Sequence, residues 1–355
     1  MSDKKAAIRQ IWYECFHDTT QWMDMFFSKV YDEEDALVLE YNGHAVSSML
    51  LRQYKMLLYG EEISMGYISG AATRRMERGR GYMSELVRIA LRQAHHRGNV
   101  LVSLIPASRR LFYFYERMGF STVFYVKNDR YTSLHSFVPE GSYFRIEDYD
   151  TDMVYDFFSS CEFRRDGTVI HSRDEFNHIM DDNRIDGGEV VVVGRKGEEG
   201  IAAVGFAAVD EYYGRLVVKD ILAKDDDAME GLLAEYRRLY DDFPFTVVRP
   251  VGYAARPIDQ YGMVRIVNVG DLFLTIAHRY PDLKLNVRVR DDLIHENDKV
   301  FMIESGSVSA LSRFSGTPDL DVTVQTLALI LFNKPEVGEI FGIPSVRPFM
   351  ALMLE

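Results

Sequence analysis

The sequence has few of the features that cross-link a chain or anchor it in a membrane. Its 355 residues include only two cysteines, Cys15 and Cys161. They lie far apart with no C-x-x-C partner, so neither a disulfide framework nor a zinc site is expected. No run reaches the roughly 20 apolar residues needed to span a bilayer. Residues 1–5 lead into an amphipathic stretch and not into the apolar core of a signal peptide. A cytoplasmic protein with no membrane partner is the expectation. Positive charge is also short: the formal net charge is −13. That balance argues against nucleic acid as a partner, which wants a basic footprint. An acidic surface serves solubility, and it equally suits a cationic small substrate drawn into an acidic cleft. What the chain does have is ordinary globular material, 47% hydrophobic and 27% charged, long enough for two or three domains.

The pattern along the chain divides into three. Residues 6–30 read as helical, with Ile8, Ile11, Trp12, Cys15 and Phe16 on one face and a second short helix over 22–30. A strand at 36–41 leads through Asn42-Gly43, a hairpin signal, into a strand at 44–54. Another strand spans 63–73. After a glycine-rich turn, Met83, Leu86, Val87, Ala90 and Ala94 recur at helical spacing. A buried strand at 100–105, a helix at 108–118 and a strand at 121–128 follow, giving an α/β layer architecture over residues 1–138. The composition shifts at Pro139-Glu140-Gly141-Ser142. A second unit, 139–262, begins with a strand at 143–147 and a helix over 153–161. It continues with strands at 189–194, 201–209 and 215–223, a helix at 228–240 and a strand at 245–250, partly repeating the order of the first. A third unit, 263–355, offers strands at 283–290, 299–303 and 308–311, then a strand running into an apolar helix over 322–331. It ends in an apolar run at 349–354 before Glu355, which is expected to be buried, because free termini otherwise fray.

The stretch from Gly70 to Met83 joins a strand to a helix through Arg78-Gly79-Arg80-Gly81. Glycines let the backbone turn tightly and aim several N–H groups at one point. The helix adds its positive N-terminal end, and Arg78 and Arg80 add formal charge. Together these suit a pyrophosphate. No Gly-Lys-Ser/Thr is present and the six-residue dinucleotide fingerprint is missing, so a P-loop and a Rossmann loop are excluded. The bland alternative is an arginine-rich surface turn. In the second unit the same position reads Lys224-Asp225-Asp226-Asp227, whose carboxylates repel pyrophosphate, so that unit is expected to bind no cofactor.

Two motifs carry a resemblance. Arg78-x-x-Gly81 resembles the Gln/Arg-x-x-Gly-x-Gly/Ala signature of the GCN5-related N-acetyltransferases (GNAT), departing at Met83. Further on, Phe114-Tyr115-Glu116-Arg117-Met118-Gly119-Phe120 is similar to the superfamily's Phe-Tyr-x-x-x-Gly-Phe. The sequence most resembles the Eis (enhanced intracellular survival) branch. Its landmarks here are Gly-Ala-Ala-Thr at 70–73, the bulky variant Gly81-Tyr82-Met83, and Met263-Val264-Arg265-Ile266-Val267-Asn268-Val269 at the start of the third unit. The resemblance implies tandem GNAT folds, each a mixed, mostly antiparallel sheet flanked by helices. The second is degenerate, and a small sterol-carrier-like α/β domain follows. It implies acetyl-CoA as cofactor and a homo-oligomer, a hexamer in the branch.

By position in that family, Ala71, Ala72 and Thr73 would lie along the pantetheine arm. Arg78, Gly79, Arg80, Gly81, Tyr82 and Met83 would surround the pyrophosphate. Ser108 would contact the cofactor or act as a plain helix N-cap. Tyr115 matches the family's tyrosine, a phenol able to protonate a leaving thiolate, although an aromatic core residue is the alternative. Enzymes of the branch are thought to use their C-terminal carboxylate as base, which would fall on Glu355; otherwise the terminal run merely caps the third unit's sheet. Trp12, Phe16, Asp18 and Phe26 are the candidate substrate contacts, since aromatics interleaved with carboxylates suit a polycationic amine and equally an amphipathic helix. The expected activity is acetyl transfer to a primary amine of a small polycation of aminoglycoside or polyamine type. A lysine or peptide acetyltransferase is the second reading. A non-catalytic acetyl-CoA sensor or lipid carrier is the third.

Overall fold

The structure is a computed structural model that describes residues 3–210, 212–251, 258–312 and 315–354. The chain opens with helix α1 (Asp3–Phe16), α2 (Thr20–Met25) and a π-helical turn (Phe26–Val30). Thr19 caps α2, its hydroxyl accepting from Trp22 N at 3.2 Å, which satisfies one of the orphan donors of a helix start. Trp12, Trp22, Phe26 and Phe27 pack there as one buried aromatic cluster.

Strands β1 (Ala36–Tyr41), β2 (His44–Leu58) and β3 (Glu61–Thr73) form an antiparallel meander. Asn42 and Gly43 make the first turn with φ of 51° and 75°, the pair of left-handed residues a tight hairpin requires. A second hairpin at Tyr59-Gly60 lengthens β2 and β3 beyond the expected 44–54 and 63–73. A tyrosine in the place usual for Asn or Asp hides this turn from a pattern of Asn-Gly or Asp-Gly. Helix α3 (Tyr82–His96) buries Leu86, Val87, Ala90, Leu91 and Ala94, the stripe its spacing foretells. Strand β4 (Leu101–Leu104), helix α4 (Arg109–Glu116) and strand β5 (Ser121–Tyr131) complete the first run.

The second run comprises β6 (Tyr143–Arg145), α5 (Thr151–Glu162), β7 (Val169–Ile170), α6 (Arg173–Ile185), β8 (Glu189–Arg195), β9 (Ala203–Asp210), β10 (Arg215–Ala223), α7 (Asp226–Leu239) and β11 (Phe245–Val251). Strand β12 (Asp259–Ile266) and helix α8 (Val269–Arg279) follow. A smaller sheet is made by β13 (Leu285–Arg290), β14 (Val300–Glu304), β15 (Ser307–Leu311) and β16 (Leu320–Thr323), with α9 (Val324–Asn333) and α10 (Pro335–Ile340) after it. No helix among the described residues is long and apolar enough to cross a membrane.

The sheet order explains how the parts cohere. One mixed 12-stranded sheet runs β1-β2-β3-β4-β12-β5-β11-β10-β9-β8-β6, with β7 added on β2; the small sheet runs β15-β14-β13-β16. Strand β12 enters between β4 and β5, pairing Met263 with Leu104 and Val264 with Ser121. Strand β11 lies on the other side of β5. The two halves therefore exchange strands and share a continuous backbone ladder. Strand β12 spans residue 263 and stands inside the first unit's sheet, while α8, α9 and the small sheet pack on its far face in one core with Tyr67, Leu101 and Val264.

Candidate active site

Strands β3 and β4 run parallel but pair only from Met65–Leu101 to Tyr67–Ser103. Beyond that point β3 continues to Thr73 with no partner from β4, which opens a notch at the C-terminal ends of two parallel strands, the usual place for a ligand in an α/β sheet. A register shift between Ser48 and Leu50 accompanies the divergence. So does Gly70, whose φ is +60° and whose added Cβ would lie 2.0 Å from the Trp12 ring. Only a glycine leaves room there for the Trp12 ring, and beyond it Ala71, Ala72 and Thr73 line the notch.

A cavity of about 1000 Å³ fills that notch. Ala71, Ala72, Thr73, Arg78, Gly79, Gly81, Tyr82 and Met83 line one side, and Ser108 and Tyr115 the other. Gly79 and Gly81 have φ of +80° and +87°, and a Cβ at either would meet nothing within 4 Å. The loop backbone is thus open to close approach. Gly81 is the N-cap of α3 and no side chain caps that helix, so its positive end faces the cavity unscreened. Arg78 Nε donates to Thr73 O at 3.1 Å, and Nη2 to Cys15 Sγ at 3.6 Å. It has no carboxylate partner among the described residues, so its charge is available to an anion. Arg80 instead pairs with Glu77 at 2.8 Å and does not line the cavity. Arg110, Arg117 and Cys15 line it as well. None of the three stands among the site residues expected from the sequence, although the basic pair Arg109-Arg110 directly before the aromatic motif was a usable signal.

Ser108 is the N-cap of α4, yet its side chain makes no cap hydrogen bond and the residue lines the cavity. Tyr115 is buried and lines the cavity too; its ring lies 5.0 Å from that of Phe114 and 5.6 Å from that of Phe120. It is packed and cavity-facing at once. An open glycine backbone, a bare helix N-terminus, an unpaired arginine and the free end of β3 fit an extended ligand with an anionic middle.

The candidate substrate contacts separate. Phe16 is 38% exposed and lines the same cavity. Trp12 and Phe26 are fully packed in the aromatic cluster, so they shape the wall from behind and present no face to a ligand; helical spacing alone could not tell the inward stripe from the outward one. Asp18 accepts from Trp12 Nε1 at 2.6 Å and lines a second cavity of about 590 Å³. That cavity is also lined by Trp22, Asp182, Asp186, Lys219, Leu352 and Met353. Trp22 Nε1 donates to Asp182 Oδ1 at 2.7 Å, and Lys219 Nζ donates to Asp186 Oδ2 at 2.8 Å. Burial pushes the Asp182 carboxyl above its usual range, against the Lys219 charge and the Trp22 hydrogen bond. His17 and Asp18, which follow Phe16 directly in the chain, line this second cavity, while Phe16 lines the first. The chain end is tied nearby: Phe349 bridges Thr168, and Ser69 Oγ donates to Leu354 O at 3.3 Å. Glu355 lies outside the described residues.

In the second run the acidic turn has its own partners. Asp225 caps α7 by accepting from Ala228 N at 2.8 Å and pairs with Arg195 at 2.5 Å. Asp227 accepts from the Tyr143 hydroxyl at 2.7 Å and from the Glu140 and Gly141 N–H groups. Carboxylates hold the place that glycines and Arg78 hold in the first.

Comparison with known proteins bears on the first run. Residues 2–123 match the family described as an acetyltransferase (GNAT) domain. No curated protein matches the chain. Among solved structures, a conserved protein of Enterococcus faecalis V583 described as a probable N-acyltransferase superposes with a TM-score of 0.79 at 14% identity, covering 99% of this chain and 97% of that one. A GCN5-related N-acetyltransferase from Anabaena variabilis gives 0.77 at 12% identity, with 99% and 97% covered. Eis1 from Mycobacterium abscessus gives 0.71 at 14%, with 98% and 92% covered. At such identities these likenesses establish the fold. The chain carries an acetyltransferase domain of GNAT type, and acetyltransferases of this type take acetyl-CoA as donor.

Proposed function

We propose that this chain is an N-acetyltransferase of the Eis-like branch that acetylates a primary amine of a small polycation, of aminoglycoside or polyamine type. The observation that carries the reading is the second cavity, in which Asp18, Asp182 and Asp186 gather, with Asp18 two residues along the chain from Phe16 of the donor cavity. Carboxylates so grouped bind ammonium groups, and a partly enclosed site screens them less than bulk water does.

Acetyl-CoA, when bound, presents a thioester carbonyl to an amine. The chain's own residues do the rest. Ala71 and Thr73 offer backbone groups on the free stretch of β3 to an extended arm. The N–H groups of the loop through Gly79 and Gly81, with Arg78, hold the pyrophosphate. Tyr115 holds the proton that a leaving thiolate takes up. Asp18 and Asp182 orient the acceptor's ammonium groups, and a carboxylate of Glu355, next along from Leu354, receives the proton the amine sheds. The third unit shares one core with the main sheet through Leu272, Phe273, Phe301 and Leu331, which supports a scaffolding part for it over that of a separate lipid carrier. A cytoplasmic homo-oligomer belongs to the same proposal and is checked by light scattering.

The test is release of free thiol from acetyl-CoA by the intact chain across a panel of amines. Polyamines and aminoglycosides are expected to support turnover at lower concentrations than lysine peptides. Faster turnover of peptides would favour the protein-acetylating reading. Bound acetyl-CoA without release on any amine would favour a sensor.

A further inference from the structure

Strand β12 carries an arginine into the protein interior. Arg265 is 2% exposed and stands opposite Val102 of β4. A buried guanidinium is tolerated only when paired and hydrogen-bonded. Its Nη2 donates to Asp291 Oδ1 at 2.6 Å, and Asp291 is 4% exposed. That carboxylate is held in turn. Oδ1 accepts from the Leu293 and Ile294 N–H groups at 3.0 and 3.1 Å, and Oδ2 accepts from Asn297 Nδ2 at 3.0 Å. Asn297 also donates to Val267 O at 3.1 Å, and its Oδ1 accepts from Val269 N at 3.0 Å. The groups fixing the guanidinium thus come from the loop just after β13, which Asn297 ties back to the end of β12.

The guanidinium lies against Gly119. A Cβ built there would fall 1.6 Å from Nη1 and 2.7 Å from Cζ, and the glycine has φ +88°. Gly119 belongs to the turn that ends α4. Met118 N and Phe120 N both donate to Tyr115 O, at 2.9 and 3.2 Å, and Gly119 N donates to Glu116 O at 3.0 Å. The turn therefore closes on the carbonyl of Tyr115, with the guanidinium packed against it at Gly119.

We propose that Arg265, held by Asp291, is a positioning residue for Tyr115: packed on Gly119, it fixes the turn that sets where the phenol stands in the donor cavity. This rests on the proposed role of Tyr115 as proton donor. It explains why the motif needs glycine at 119 in this chain, and it gives residues 265–297 a part in catalysis.

The test compares kcat, the KM for acetyl-CoA and the alkaline limb of the kcat–pH profile for the intact chain, Asp291→Asn, Arg265→Lys, Tyr115→Phe and the two doubles with Tyr115→Phe. Lysine keeps the charge but not the planar fork. Each of the two is expected to lower kcat about tenfold or more, as small misplacements of a reacting group do, while the KM for acetyl-CoA stays within about twofold. The alkaline limb should shift, and neither substitution should lower kcat further once Tyr115 is Phe. Assays run below the melting temperature of each variant, and if one does not fold the other decides. Unchanged kcat in a folded variant, the same proportional loss in the Tyr115→Phe background, or failure of both to fold would overturn the inference. Unchanged kcat in Tyr115→Phe alone would instead remove the proton-donor reading, and that result needs no second substitution.

Discussion

Arg78 and Arg80 stand two positions apart in one loop, and their neighbours give them different work. Arg80 is committed to Glu77, whereas Arg78 reaches Thr73 O and Cys15 and keeps its charge unpaired. Charge-assisted hydrogen bonds are worth about 1.5–3 kcal/mol, and exposed ion pairs usually less than about 1 kcal/mol. Initial-rate kinetics on Arg78→Gln should accordingly show the KM for acetyl-CoA raised about tenfold or more, with Arg80→Gln within about twofold. A larger effect at Arg80 would contradict this assignment. Lys219 poses a second residue-scale question, because its ammonium already occupies Asp186 in the acidic cavity and lies 3.9 Å from Asp182. Lys219→Met removes that internal cation. The KM for a triamine should fall and depend more steeply on salt, while a monoamine should barely change. A rise in the triamine KM would mean that Lys219 helps to hold the acceptor.

At the scale of elements, much of the first unit was legible because its signals are local. Asn42-Gly43 specified a hairpin, the apolar stripe specified α3, and two glycines after Arg78 specified the turn. Helix α6 was not expected from the sequence although its start carries a capping box, Ser172 with Glu175; it lacks the long apolar stripe that marks α3. Strand β7 is two residues long and is fixed only by pairing with Lys55 and Met56 of β2, which no local pattern announces. The acidic cavity was half legible: Asp18 could be singled out, but Asp182, Asp186 and Lys219 arrive from α6, its C-terminal end and β10, and only the fold brings them to α2. Elements also place titratable groups where burial acts on them. Asp220 of β10 lies buried near His171 and Glu162, and burial pushes its carboxyl up to about 6, against the Arg165 charge and the Ile221 N–H. A carboxyl whose folded pKa exceeds its unfolded value of about 3.9 binds more protons folded than unfolded between the two, so stability falls as pH rises through that window and stays lower above it. For His171, burial acts to lower the pKa, but the Glu162 hydrogen bond and charge outweigh it and raise the value. Its contribution too is present at low pH and is lost as pH rises. Thermal melts of Asp220→Asn should therefore exceed those of the parent at about pH 8 and nearly coincide at about pH 4. A parent more stable than the variant at the higher pH would contradict this.

For the whole molecule, the exchange of strands is the decisive feature. Strand β12 fills the gap between β4 and β5, and β5 in turn carries β11 on its other side. A fragment of residues 1–138 would leave facing edges of β4 and β5 unpaired, with buried backbone groups lacking partners. Circular dichroism and solubility should show that fragment unfolded or aggregated, and the intact chain should melt without a separate transition for residues 1–138. A folded fragment that binds acetyl-CoA would contradict that view. The acidic residues of α6 and the chain end meet Asp18 and Trp22 in the second cavity, so the proposed acceptor site needs residues of both the first run and the later ones. The most direct measurement is a joint count of free thiol and acetylated amine in one reaction of the intact chain with acetyl-CoA and a triamine. The account predicts one thiol released for each acetyl group transferred, at a rate that drops when Asp182 becomes Asn or Tyr115 becomes Phe. Acetyl-CoA bound and returned intact, with no acetylated amine from any cation offered, would contradict it.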